Sequence, residues 1–101
     1  MTAARWQICE LANQMLANEV DLLRGVRAIV SLLPASGWVS DEAIAVVVGI
    51  ESETDHFPES LEGWEPRAAL RLSAERDLYF ASQRDVLLHA CGEIVSKMGF
   101  L

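Results

Sequence analysis

The sequence predicts an all-α protein: a compact bundle of three to four helices with a long C-terminal helix. Three observations predict it. Apolar residues recur at three-and-four spacing along most of the chain. The stretch from Arg67 to Met98 contains no proline to interrupt it. Only one short segment has β-forming composition, and a lone strand would leave its backbone groups unpaired. At 101 residues the chain is expected to be a single helical domain, 1–101. A composition of 51% hydrophobic and 23% charged residues is that of a globular protein rather than a disordered one.

Residues 4–17 read as the first helix, with Ile8, Ala12, Met15 and Leu16 on one face and Trp6 and Cys9 widening it. Asn18 and Asp21 have capping-box spacing, with Asp in place of the usual Glu or Gln. They are expected to open a second helix from Glu19 to Leu33, whose buried stripe is Leu22, Leu23, Val26, Ile29, Val30 and Leu33. Pro34 is expected to stop it, since proline cannot continue the hydrogen-bond ladder, and Pro34 to Gly37 to form a turn. Trp38 is expected to fold back onto the core. Ser40 is the expected N-cap of the next helix, with Asp41 and Glu42 in its first turn.

The segment from Asp41 to Gly49 is the ambiguous one. Ile44, Val46, Val47, Val48 and Ile50 are β-branched and suit a strand. A short buried helix is chosen because no partner strand exists in the chain; pairing across a dimer is the one exception. Glu51 to Glu65 reads as a loop, with Leu61 and Trp64 as an apolar clamp and Leu61 to Trp64 as a single helical turn. Pro66 suits the first position of the last helix. Leu70, Ser73, Asp77, Phe80, Arg84, Leu87, Cys91, Ile94 and Met98 then fall on one line, in one long helix or two with a bend. The apolar C-terminal half of that line belongs in the core. The polar N-terminal half either projects or carries a polar network. Arg71–Glu75 and Glu93–Lys97 are four-apart pairs, and Gly99 is the expected cap.

The net charge of −7 is uneven. Between Ala28 and Pro66 there is no Lys or Arg, while Asp41, Glu42, Glu51, Glu53, Asp55, Glu59, Glu62 and Glu65 all fall there. Such a field disfavours nucleic acid and attracts a basic protein or a cation, although acidic surface also serves solubility alone. Arg67, Arg71, Arg76 and Arg84 concentrate on the last helix and are expected to face this acidic segment within the molecule. No apolar run approaches the ~20 residues that span a bilayer, so no membrane association is expected. No secretory signal is seen, so the cytoplasm is the expected location. Cys9 and Cys91 lack metal or redox spacing and are expected to be buried thiols; a disulfide joining first and last helices is the minority reading.

Chemistry-bearing residues crowd together in one place. Glu51, Glu53, Asp55 and His56 are donor types suited to a divalent cation. The frame of an EF-hand is missing and no second histidine is near, so no metal or other cofactor is expected, and these four residues are kept only as a low-ranked metal set. Ser52 and Asp55 have the spacing of a turn in which short polar side chains hold backbone N–H groups. No nucleophile, oxyanion hole or phosphate loop accompanies the carboxylates, so no catalytic residue is assigned and an enzyme is the less favoured class. Cys91 and His89 share one helix at an offset that points them apart; His89 is placed to pair along its helix with Asp85 or Glu93. Trp6, Trp38 and Trp64 are each expected at the core or its edge, and one found exposed becomes the first interface candidate.

The segment Gly49-Ile50-Glu51-Ser52-Glu53-Thr54-Asp55-His56-Phe57-Pro58 resembles a G-[IV]-[DE]-S-E-T-D-H-[LF]-P segment in a group of short uncharacterised bacterial proteins. The resemblance implies two helices before the segment, and an acidic, Trp-containing stretch and a long helix after it. It implies no activity. The sequence thus points to a small acidic module that binds a basic protein, with Glu51, Glu53, Asp55, His56, Glu59 and Trp64 as the candidate interface. An immunity or inhibitor protein is the concrete form of that reading. A metal-binding protein or metal-dependent enzyme using residues 51–56, and a structural homodimer, are the alternatives.

Overall fold

Each helix begins where a polar side chain takes up backbone N–H groups that lack an intrahelical acceptor. The computed structural model describes residues 2–38 and 41–97. Thr2 Oγ1 accepts from the Arg5 N–H (3.1 Å) at the head of α1, Ala3–Leu16. Asp21 Oδ2 accepts from the Arg24 N–H (3.2 Å) at α2, Leu22–Ser36. Asp41 Oδ1 accepts from the Ala43 N–H (2.9 Å) at α3, Glu42–Glu53. The Glu65 carboxylate accepts from Arg67 (3.1 Å) and Ala68 (3.0 Å) at α4, Pro66–Lys97. The all-α expectation holds: four helices, the last much the longest, and no strand among the described residues. The expected caps Ser40 and Gly99, and Met98, lie outside the described residues.

Three boundaries differ from expectation. Asn18 does not open α2; it closes α1. Its φ of 58° is left-handed, its N–H donates to Met15 O (3.1 Å), and the Glu19 N–H donates to Gln14 O (2.8 Å). That is a Schellman ending with Asn in the usual Gly position. Pro34 lies inside α2 rather than after it. In the last turn a proline forfeits one hydrogen bond, and the helix end is held by other groups. Gly37 caps it with φ 69°, and Arg5 of α1 donates to the Ser36 (2.9 Å) and Gly37 (3.4 Å) carbonyls. The third difference is at α3, which continues to Glu53, so the first three residues of the expected loop are helix.

In α3 three of the β-branched residues, Ile44, Val47 and Ile50, serve one buried face, while Val48 is exposed. Ala43, Ile44, Val47 and Ile50 are buried, at the spacing of a single helical stripe. The helices pack as a ring: α1 on α2, α2 on α3, α3 on α4 and α4 back on α1. Ile8, Met15, Leu23, Ile29, Val47, Leu87 and Ile94 fill the middle. Trp38 folds back as expected, its indole N–H donating to Asp41 (3.4 Å) and its ring lying under the Arg5 guanidinium. Cys9 and Cys91 are buried free thiols, both pushed up to about 11 by burial. Trp6 and Trp64 are not core residues; they are 48% and 47% exposed.

The lengths of the helices decide the shape. At 1.5 Å per residue α4 spans ~48 Å, against roughly 18–23 Å for the others. The molecule measures 45 × 25 × 22 Å, so its long axis is α4. One continuous helix, without a break, replaces the two-helix alternative. Its buried residues are Phe80, near the middle, and Leu87, Ala90, Cys91, Ile94 and Val95 in the C-terminal half. The N-terminal half projects past the ring, with Leu70 and Leu78 73% and 72% exposed.

Candidate functional site

The segment between α3 and α4 is fixed from three sides. Thr54, fully buried, ends α3: its hydroxyl donates to Ile50 O (2.8 Å) and Glu51 O (3.2 Å). The backbone is therefore held by Thr54 and not by Ser52 or Asp55, whose side chains are exposed and make no hydrogen bond among the described residues. From α2, Arg27 Nη2 donates to the carbonyls of Thr54 (3.0 Å) and Phe57, and Nη1 lies 3.9 Å from Glu59. A guanidinium at the end of α3 also meets the negative pole of that helix. Phe57 is the anchor of the loop, 4% exposed. Phe57, Pro58 and Leu61 lie against Leu72, Ser73 and Arg76 of α4. The Leu61–Trp64 stretch is a β-turn closed by the Trp64 N–H on Leu61 O (3.1 Å), with Gly63 at φ 83°, rather than a helical turn. Leu61 clamps the loop down; Trp64 does not.

The sequence-assigned residues are thus spread along one connected surface and do not converge on a point. Glu51 is half-buried at the end of α3, and Asp55 and His56 are exposed in the turn that follows. The His56 ring stacks on Phe57 with centroids 4.1 Å apart. Glu53 accepts from the Tyr79 hydroxyl of α4 at 2.8 Å. Burial first, and the Glu53 carboxylate second, push the Tyr79 phenol up to about 12. Glu59 faces Arg27, and Glu65 is occupied as a helix cap. Glu51, Asp55 and Glu62 make no side-chain ion pair or hydrogen bond among the described residues. No group of three or more His, Cys, Asp or Glu side chains placed to hold a metal ion occurs among the described residues.

The arginines of α4 do not meet the acidic segment in ion pairs, contrary to expectation. The cations that do are Arg27, on Glu59, and Lys97, whose ammonium donates to Asp41 at 2.6 Å. The Lys97 hydrogen bond holds the Asp41 carboxyl below its usual range, and Asp41 in turn raises Lys97. Geometry explains the difference: Arg67 and Arg71 ride on the projecting half of α4, outside the ring. Glu93 pairs with His89 (3.1 Å) instead of Lys97, and no Arg71–Glu75 pair forms. Arg27 and Phe57 were the residues hardest to assign from sequence. Arg27 is the last cation before the all-acidic stretch, and Phe57 is the one aromatic between its acids before Trp64.

Two open grooves lie apart from the residues of this segment. One, of about 380 Å³, runs between α3 and α4 over Ala43, Val46 and Val86, with Glu42, Asp85 and Glu93 along it. The other, of about 400 Å³, lies between α1 and α2 beside Glu10, Leu11 and Leu32. Neither brings a nucleophile to a base: Cys91 is fully buried, its Sγ 4.0 Å from Met15 Sδ, while His89 is exposed. No helix among the described residues is long and apolar enough to cross a membrane. Compared with known families, curated proteins and solved structures, the chain matches none of them.

Proposed function

We propose that this chain is a small, acidic, non-catalytic module that binds a basic protein, with an immunity or inhibitor role as its concrete form. The supporting observation is a half-exposed Trp64 on a loop that carries the unpaired acids Asp55 and Glu62, follows the unpaired Glu51 at the end of α3, and is tied to the core by Arg27, Thr54 and Phe57. A pre-ordered loop loses little entropy on binding. An exposed tryptophan supplies an anchor, and the surrounding acids supply long-range attraction to a cationic surface. The cytoplasm is the setting that suits buried reduced thiols at Cys9 and Cys91.

Affinity capture with the immobilised protein tests this. The expected result is a basic protein retained at ~50 mM salt and released by ~300 mM. Retention is lost in Trp64→Ala and in the Glu51→Gln/Asp55→Asn/Glu62→Gln variant, while circular dichroism stays unchanged. Retention indifferent to salt and to both variants overturns the proposal, as does the absence of any basic protein.

A further inference from the structure

The projecting half of α4 presents a second face that the loop surface does not use. Leu78 is 72% exposed and points away from the helix face that is buried by the ring. Ala74, Ala81 and Ser82, all exposed, lie three or four positions from it, and the fourth such neighbour is the exposed Glu75, which a two-fold crossing at Leu78 sets opposite Ala81. Small residues around one large apolar residue let two helices approach closely, because each leucine has room over its neighbour's backbone.

The charges along this face have a symmetry about Leu78. Arg71 and Asp85 each lie seven positions from Leu78. Seven positions is ~10.5 Å along the axis and within ~20° of the direction of Leu78. Both side chains are exposed, and neither they nor Arg67 belong to any ion pair among the described residues. In an antiparallel crossing centred on Leu78, Arg71 of each copy meets Asp85 of the other. Ala74 meets Ser82, and Leu78 meets itself. Arg67 then lies opposite His89, which is itself paired with Glu93. A parallel crossing would set Arg71 against Arg71 and Asp85 against Asp85, so the charges select the antiparallel form.

We infer that α4 is a self-association surface, on which two copies of this chain pair antiparallel about Leu78 with reciprocal Arg71–Asp85 ion pairs. The occupant is a second copy because the charge pattern is self-complementary under a two-fold axis, as an isologous interface requires. A seam built on one helix is small, so the dimer forms in roughly the micromolar range rather than tighter. It leaves Trp64 and the acidic loop outside the seam residues.

Sedimentation velocity of the purified protein from ~5 to ~500 µM tests the proposal. The expected result is a concentration-dependent dimer. Leu78→Asp and Asp85→Arg each shift association by at least tenfold toward monomer, and the Arg71→Asp/Asp85→Arg exchange restores it. Leu78 and Asp85 are solvent-facing, so thermal melts of the single variants at dilution match the parent. A protein that stays monomeric throughout overturns the proposal. So does a dimer indifferent to Leu78→Asp, or an exchanged pair no better than Asp85→Arg alone. The outcome is independent of the basic-partner reading, because only one purified protein is present.

Discussion

Tyr79 is the single tyrosine of the chain, so its ionisation can be followed directly by absorbance. Burial and the Glu53 carboxylate both oppose a phenolate there, raising it to about 12 from the usual value of about 10. The expected titration midpoint is close to 12, and Glu53→Gln lowers it part-way, because burial persists when the carboxylate is gone. A wild-type midpoint near ~10 would refute the hydrogen bond. Asp41 supplies a second titration. Its lowered folded value means that its stabilising contribution is complete above the unfolded carboxyl value, ~3.9, and fades as pH falls through the lower folded one. Melting temperatures measured from pH ~5 down to ~2 should therefore fall less steeply in Asp41→Asn than in the parent. Neither pairing was legible in the sequence. Asp41 and Lys97 are 56 positions apart and Glu53 and Tyr79 are 26 apart, and charge alone offered four arginines as equally good partners for the acids.

Between elements, the decisive contacts are those of a glycine and an arginine on α2. A Cβ added at Gly25 would lie 2.7 Å from Met15 Cγ, so the buried Met15 side chain fills the space that a larger residue needs. Gly25→Ala is expected to destabilise by about 1–2 kcal/mol, the steric cost exceeding the helix-propensity gain. In a Met15→Ala background the same change should turn stabilising, by up to ~1 kcal/mol, since the obstruction is gone. A double-mutant cycle by denaturant melts measures the reversal of sign. Arg27 acts at the other side of α2, where it holds the carbonyls of Thr54 and Phe57. Its loss in Arg27→Ala should cost about 1.5–3 kcal/mol, with Arg27→Lys recovering little, because an ammonium cannot span both carbonyls and Glu59 as the planar guanidinium does. The sequence did locate the helices, because their apolar spacing is a local property. It misplaced the ends at Pro34 and Glu51 because long-range donors settle them: Arg5 completes α2 from α1, and Arg27 completes α3 from α2. At Asn18 the cause is local, a left-handed residue that closes α1 where capping-box spacing suggested the start of α2.

At the scale of the molecule, one helix belongs to two environments. The sequence signalled this through the polar residues Ser73, Asp77 and Arg84 on the line that becomes apolar from Leu87 onward. The structure places the change near Phe80, the first buried residue of α4. What the sequence could not supply is which outward residues are left uncovered: Leu70 lies beyond the ring, and Leu78 lies on the face turned away from it. Hydrogen exchange should therefore divide α4. Amides beyond Phe80 open only with the whole ring and exchange at the global rate, whereas those of residues 70–78 are backed only by Phe57, Pro58 and Leu61 and, at Arg76 and Asp77, by the α1–α2 turn, and open by local fraying. Residue-resolved exchange at ~10 µM should show protection falling by at least tenfold N-terminal of Phe80. At ~500 µM, pairing through Leu78 should slow residues 74–82 selectively and leave the amides of α1 unchanged. Uniform protection along α4 at low concentration would mean that the projecting half is cooperative with the core, and the two-environment account of the helix would be wrong.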